Sequence, residues 1–179
     1  LNKISSANVD VQPGTSVYTT WLNNRGGIEA DLTVNRLDEE RFLVVTAYTT
    51  QLKDSDWIIR NVPAGSRVAV TDVTSAWATL GIFGPKARDF VSPITDADLS
   101  NEAFPFGTLQ EIDFGYARAI AVRRTYMGEL GWEIYLPTEF AVGAFDQLWE
   151  SGQPNGLELA GMHAMNSLRM EKAYRHWGD

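Results

Sequence analysis

Two segments of the chain place a carboxylate where it could bind a ligand or move a proton. In the first, Tyr126 precedes and Glu133 follows the turn-like sequence Gly128-Glu129-Leu130-Gly131. If that sequence is the tight turn of a β-hairpin, Tyr126 faces Glu133 across the two strands. A carboxylate beside an aromatic ring can accept two parallel N–H bonds from a planar heterocycle with an amidine-like edge, such as a pterin or a guanine. The same pattern also allows Glu133 and Tyr135 simply to face solvent.

The second segment leads to Asp31. Adjacent glycines permit positive φ and a tight backbone path just before two acids in the sequence Asn23-Asn24-Arg25-Gly26-Gly27-Ile28-Glu29-Ala30-Asp31. Asp31 is predicted to start a strand instead of lying in a polar loop. An ordinary hairpin turn would account for the glycines; alternatively, a lone aspartate at the mouth of a pocket can act as a general base or stabilise a developing cation. Spacing leaves both interpretations open.

The elements that hold these acids are predicted from short β-like runs, turn residues and helical periodicity. Strands are predicted, the first three as an antiparallel meander, at residues 17–21, 32–34, 42–46, 68–70 and 77–83. Helices are predicted at residues 54–60, 85–91, 140–149 and 162–174. Because strands and helices interleave without a repeat or a clear linker, the predicted fold class is α+β, and residues 1–179 are interpreted as one domain.

The hairpin around the first carboxylate is predicted in more detail. Residues 112–136 are interpreted as its two strands, with Met127 opposite Trp132. Trp132, Ile134 and Leu136 alternate with polar residues, so they are predicted to point to the core.

The last helix is predicted to bury an apolar face. Leu168 follows Met165 by three positions and Met162 lies a further turn back, a spacing typical of core packing. The residues predicted to lie on a solvated face of the same helix are Arg169, Glu171 and Lys172.

Composition excludes several classes of function. A formal charge of −8 gives no basic surface for a phosphate backbone, so nucleic acid is not an expected partner. No apolar run approaches the roughly 20 residues that cross a bilayer. Without cysteine there can be no disulfide, thiolate zinc site or iron–sulfur cluster, and with two histidines no metal site is expected. There is also no glycine-rich nucleotide fingerprint and no Gly-x-Ser-x-Gly elbow.

Three motifs together resemble the folate-binding aminomethyltransferase family, which includes the glycine-cleavage T-protein and the C-terminal parts of sarcosine and dimethylglycine dehydrogenases. They are Leu22-Asn23-Asn24-Arg25-Gly26-Gly27-Ile28-Glu29-Ala30-Asp31-Leu32-Thr33-Val34, Leu80-Gly81-Ile82-Phe83-Gly84-Pro85 and Tyr126-Met127-Gly128-Glu129-Leu130-Gly131-Trp132-Glu133. The resemblance is closest to the dehydrogenase branch because of Ala97-Asp98-Leu99-Ser100-Asn101-Glu102-Ala103-Phe104-Pro105-Phe106 and Glu171-Lys172-Ala173-Tyr174-Arg175-His176-Trp177.

The resemblance implies a function and a site. A flavin domain that binds FAD would oxidise an N-methyl amine, and tetrahydrofolate would take up the one-carbon unit as 5,10-methylenetetrahydrofolate. The family's pterin-binding glutamate falls on Glu133, its neighbouring tyrosine on Tyr126 and its functional aspartate on Asp31. The implied location is the bacterial cytoplasm or the mitochondrial matrix. Both ends look cut, so the flavin domain and a C-terminal β-barrel are expected to be missing, and the fragment is expected to be inactive alone.

Two positions depart from the T-protein pattern. Where T-protein has an arginine for the folate tail and a tyrosine in the strand after the aspartate, this chain has Met165 and Leu43. The alternatives are a glycine-cleavage aminomethyltransferase, a folate-dependent demethylase, and, from another class, a non-catalytic folate-binding or structural domain.

Overall fold

The first 74 residues build a three-stranded antiparallel sheet. In the computed structural model, which describes residues 1–178, the strands are β1 (Thr15–Leu22), β2 (Ile28–Arg36) and β3 (Phe42–Thr46), in that spatial order. Each strand pairs antiparallel with the next, which confirms the predicted meander. Helix α1 (Gln51–Asn61) follows the sheet.

One face of this sheet is apolar and the other is polar. Ala30, Leu32 and Val34 of β2 are at most 3% exposed and pack with Trp21 in one hydrophobic cluster. Successive side chains of a strand point to opposite faces, so Asp31 lies on the polar face.

Residues 68–70 form no strand, contrary to the prediction. Val68 and Val70 are 59% and 37% exposed, and residues 66–73 have no regular secondary structure. β-branched residues favour a strand only where a neighbouring strand and a buried face are present, and this segment has neither.

The second unit begins at Ser75 and contains a four-stranded antiparallel sheet. Its spatial strand order is β4-β7-β6-β5, formed by β4 (Trp77–Phe83), β5 (Leu109–Phe114), β6 (Ala117–Val122) and β7 (Gly131–Pro137). Its helices are α2 (Ala87–Val91), α3 (Ala141–Gly152) and α4 (Met162–Glu171). Short 3₁₀ turns lie at Tyr48–Thr50, Thr74–Ala76, Ser92–Ile94, Thr138–Phe140 and Gln153–Asn155. The fold is α+β, as predicted.

One face of the second sheet forms the larger core. Trp132, Ile134 and Leu136 are fully buried there, against residues of α2 and α3, which confirms their predicted orientation. The Phe104 ring meets Trp132 edge to face, with 6.2 Å between the ring centroids. In the part of the chain that the structure describes, no helix has both the length and the hydrophobicity needed to span a membrane.

The register predicted for the hairpin is wrong. Residues 109–122 form two strands, β5 and β6, separated at Gly115, whose φ is +58°. β7 pairs with β6 so that Glu133 lies opposite Val122, not opposite Tyr126. The connection therefore spans residues 123–130 and is longer than the predicted turn. The difference of four residues is even, so the predicted face of Glu133 is nevertheless correct.

Two arginines bond to residues 99–108 near the point where β6 stops pairing with β7. The backbone of Arg123 still pairs with the segment that leads into β5, because its N–H donates to the Thr108 carbonyl at 2.9 Å. Its guanidinium donates to the Phe104 carbonyl at 2.5 Å and to Asn101 Oδ1 at 2.7 Å. Arg88 donates to the same Asn101 oxygen at 2.9 Å. Burial and the neighbouring charge of Arg88 lower the pKa of Arg123. Arg123 is therefore bonded to residues 101–108, and the chain continues from it into the 123–130 loop instead of the predicted tight turn.

The burial predicted for α4 is also wrong. Met162 and Leu168 are 68% and 39% exposed, whereas Arg169 is only 8% exposed. The reason is that Arg169 faces the 123–130 loop, where its guanidinium carbon lies 5.8 Å from the centroid of the Tyr126 ring. Arginine is buried here because a ring and several acceptors surround it.

Helix α4 ends in a Schellman motif with alanine at the left-handed position. The Tyr174 N–H donates to the Arg169 carbonyl and the Ala173 N–H to the Met170 carbonyl, both at 3.0 Å. Ala173 has φ +59°, and it is the one non-glycine residue with positive φ in residues 1–178. Its Cβ makes this conformation unfavourable, and glycine is the usual residue at this position.

Ala173→Gly is therefore expected to stabilise the protein by about 0.5–1 kcal/mol. Urea unfolding at neutral pH would measure the change. Ala164→Gly, at an exposed position in the first turn of the same helix, is the matched control, and we expect it to destabilise by up to about 1 kcal/mol. Equal destabilisation by both substitutions would contradict the left-handed assignment of Ala173.

Candidate functional site

Glu133 lies near the end of the central strand β7. Its cross-strand neighbours are Gly81 on β4 and Val122 on β6, and its side chain is half-buried on the face opposite the helices. The Tyr135 hydroxyl, two residues along the same face, donates to Glu133 Oε2 at 2.5 Å. Tyr135 is 4% exposed, so the alternative in which both side chains face solvent is wrong for Tyr135.

Tyr135 is held as a hydrogen-bond donor. Burial raises its pKa far above the ordinary value, and the adjacent charge of Glu133 raises that pKa further. The phenol therefore keeps its proton at neutral pH. An ionised carboxylate has about four lone-pair sites, so one donor from the protein leaves room for two N–H donors from a ligand.

Tyr126 is positioned by α4 instead of by strand pairing. It lies in the 123–130 loop, half-buried under the guanidinium of Arg169. Two further contacts fix this loop against the helix end. Lys172 Nζ lies 3.1 Å from Glu129 Oε1, and a Cβ at Gly128 would lie 2.5 Å from Lys172 Cγ. Gly128 is thus required for close approach of loop and helix, as well as for its φ of +73°.

The turn between β1 and β2 accounts for the adjacent glycines. Asn23 Oδ1 accepts from the N–H groups of Arg25 and Gly27 at 2.9 and 3.0 Å. Gly26 has φ +77°, and a Cβ at Gly27 would lie 2.9 Å from the Asn23 amide nitrogen. The hairpin-turn interpretation of this motif is therefore correct.

The two acids that follow this turn differ in their surroundings. Glu29 accepts from Asn23 Nδ2 at 2.8 Å and lies 4.0 Å from Lys53 Nζ. Asp31, the fourth residue of β2, is half-buried opposite Thr20. Within residues 1–178 its carboxylate forms no hydrogen bond or ion pair. Of the two, Asp31 is the one available to a ligand.

The structure thus places Asp31 in the first unit and Tyr126 and Glu133 in the second. The structure also brings Tyr135 into contact with Glu133 and Arg169 into contact with Tyr126, and sequence reasoning named neither as a candidate site residue. Tyr135 could have been found from its spacing of two from Glu133, which puts both on one face. No three His, Asp or Glu side chains of the described residues lie close enough together to hold a metal ion.

Comparison with known proteins gives a consistent result. The family model described as the GCVT N-terminal domain matches residues 1–179. The chain is 46% identical to the 4-methylaminobutanoate oxidase (formaldehyde-forming) of Paenarthrobacter nicotinovorans, with 97% of this chain and 21% of that protein covered. It is 35% identical to the mitochondrial dimethylglycine dehydrogenase of Homo sapiens, with 96% of this chain and 20% of that protein covered. The chain therefore spans about a fifth of these relatives.

A solved structure also matches. The glycine cleavage system aminomethyltransferase T of Bartonella henselae superposes with a TM-score of 0.75 at 27% identity. The match covers 94% of this chain and 44% of that one.

Proposed function

Because the chain belongs to the GCVT N-terminal domain family, we propose that it binds tetrahydrofolate as the one-carbon acceptor of a larger flavin-dependent dehydrogenase of N-methyl amines. FAD would be bound by another domain of the same polypeptide. Relatives that are dehydrogenases or oxidases by name, and of which this chain covers a fifth, support that arrangement.

The observation that carries the proposal is the hydrogen bond from Tyr135 to Glu133. It orients an ionised carboxylate on a partly accessible sheet face. The pyrimidine edge of a pterin presents an amino group and a ring N–H side by side. Glu133 would accept both in a bidentate, charge-assisted contact, which is the strong kind of hydrogen bond for such an edge.

Asp31 would accept a proton released from a folate nitrogen. In the proposed reaction a flavin bound by another domain would take a hydride from the N-methyl group. The carbon of the resulting iminium would then become bonded to two folate nitrogens while the demethylated amine leaves. Two N–H protons leave the folate; one goes to the departing amine and one must be accepted elsewhere. A half-buried carboxylate without a partner among residues 1–178 can accept it.

Calorimetric titration with folinic acid, a stable reduced folate, tests the binding. We expect Glu133→Gln to weaken binding about 10- to 100-fold, because hydrogen bonds to a charged group contribute about 1.5–3 kcal/mol. Asp31→Asn should change the affinity less than about threefold, since the proposed role of Asp31 is proton transfer and not binding of the pterin. Glu111→Gln, an exposed acid of β5, is the control.

Saturable binding that survives Glu133→Gln unchanged would contradict the assigned pterin contact. If the parent chain binds no folinic acid, the same titration of the full-length polypeptide decides whether the site needs further domains or does not exist.

A second candidate is a structural domain that binds no folate. The relative with 46% identity is named as formaldehyde-forming, and release of formaldehyde needs no folate acceptor. Absence of folate binding in both the chain and the full-length protein would favour this candidate.

A further inference from the structure

An aromatic ring lies next to two glycines near Glu133. Phe83 of β4 lies opposite Gly131 of β7, and Gly81 lies opposite Glu133, so all four residues share one face of the sheet. A Cβ at Gly81 would lie 2.6 Å from Phe83 Cε2. A Cβ at Gly131 would come too close to Phe83 Cδ1 and would lie 2.6 Å from the Ile82 carbonyl oxygen. Atoms of the Phe83 ring therefore occupy the space that a side chain at either glycine would need.

These glycines are explained by space and not by backbone conformation. Neither Gly81 nor Gly131 has positive φ. Glycine inside a strand costs about 0.5–1 kcal/mol relative to alanine, and here it occurs at two neighbouring positions of the ladder. What the two glycines provide is room for the ring of Phe83.

The ring also lies within reach of whatever Glu133 binds. Side chains directly opposite each other on antiparallel strands have Cβ atoms about 4.5–5.5 Å apart. Because Phe83 Cε2 lies 2.6 Å from the Cβ position of Gly81, the edge of the ring lies within about 8 Å of the Glu133 Cβ. Phe83 and Glu133 are both half-buried, so each remains partly accessible.

We propose that Phe83 is the stacking platform for the pterin ring whose edge Glu133 binds; this rests on the proposed function. The carboxylate selects the hydrogen-bonding edge, and the phenyl ring selects a flat, aromatic body. Together they define the ligand class as a planar heterocycle with an amidine-like edge. Neither residue alone makes that selection, because a carboxylate binds any cationic or N–H-rich group.

Two ligands and three variants test the platform by calorimetry. Folinic acid carries the pterin, whereas p-aminobenzoylglutamate carries only the tail of the folate. Stacking of a base on an aromatic side chain is worth about 1–3 kcal/mol, so Phe83→Leu should weaken folinic acid binding about 5- to 150-fold. Phe83→Tyr keeps the ring and should stay within about threefold of the parent. Affinity for p-aminobenzoylglutamate should not change in either variant.

Gly81→Ala displaces the ring without removing it. The nearest atom to its new Cβ is the far end of the Phe83 side chain, which can move. We expect it to weaken folinic acid binding as Phe83→Leu does, while thermal unfolding confirms that both variants remain folded.

The outcomes separate the two proposals. Binding by the parent together with unchanged binding by Phe83→Leu or by Gly81→Ala overturns the platform and leaves the proposed function intact. Equal loss of both ligands would show that Phe83 only maintains the fold. Absence of binding by the parent overturns the proposed function and the platform with it.

Discussion

Tyr135→Phe is expected to make the protein less stable at neutral pH and less sensitive to alkaline pH than the parent. The substitution removes a donor from a half-buried carboxylate, which should cost about 1–3 kcal/mol of unfolding free energy. The bond removed is the 2.5 Å contact from the Tyr135 hydroxyl to Glu133. Phenylalanine has no atom in the place of the hydroxyl oxygen, so Glu133 loses this donor.

The pH dependence follows from the direction of the pKa shift. The folded state raises the pKa of Tyr135, chiefly through burial, while the unfolded chain ionises near the ordinary value of about 10. The stability due to neutral Tyr135 is therefore complete below about pH 10 and is lost as the pH rises further, by about 1.4 kcal/mol per pH unit. Tyr135→Phe lacks this loss.

Urea unfolding from pH 7 to pH 11 would measure both effects. The difference between parent and variant should be greatest at neutral pH and should shrink above pH 10. Tyr116→Phe is the control because Tyr116 is 89% exposed, and its curve should follow that of the parent. Parallel curves for Tyr135→Phe and the parent up to pH 11 would contradict the raised pKa.

Arg169→Met is expected to destabilise the protein by about 2–4 kcal/mol, since it removes hydrogen bonds of a buried charged group and a contact with an aromatic ring. The Arg169 guanidinium donates to Asn166 Oδ1 at 2.9 Å and to the Tyr174 carbonyl at 3.0 Å, and it lies over Tyr126. Methionine fills a similar volume but supplies no donor. The unfolding free energy of Arg169→Lys should lie between those of the parent and Arg169→Met, because lysine keeps the charge but lacks the planar guanidinium group.

Thermal and urea unfolding would measure these changes, and Arg60→Met supplies the matched control. Arg60 also lies in the last turn of a helix, but its side chain is 71% exposed and pairs with Asp56 at 2.6 Å. An exposed pair of this kind contributes at most about 1 kcal/mol. Equal destabilisation by Arg169→Met and Arg60→Met would show that the contacts of the buried Arg169 side chain do not stabilise the fold. If Arg169→Met also binds folinic acid more weakly, this would indicate that the position of Tyr126 depends on Arg169.

Local patterns were sufficient for much of the fold. β3 and β4 have the predicted bounds because each is a short apolar run between turn residues. The orientation of Trp132 and the face of Glu133 also follow from alternation alone. These features depend on neighbours along the chain, which a sequence displays directly.

Features that depend on distant residues were not predictable in the same way. The pairing of β6 with β7 ends at Val122, and Arg123 bonds instead to Phe104 and Asn101, which lie 19 and 22 positions earlier in the chain. Burial of Arg169 depends on a ring that lies 43 positions earlier in the chain, at Tyr126. Helical periodicity assigns an arginine to the solvent-exposed face, because it contains no information about contacts with residues distant in the sequence. The roles of Asp31, Tyr126 and Glu133 in binding remain predictions.

The length of the 123–130 loop has a consequence for how such a domain could change over time. β7 is held in register by β4 along its whole length and by β6 at Glu133, so the position of the carboxylate does not depend on the loop. Insertions or deletions between Arg123 and Leu130 would move Tyr126 without moving Glu133. The carboxylate that we propose binds a ligand edge and the ring of Tyr126 can therefore diversify separately, one on a fixed strand and the other on an adjustable loop.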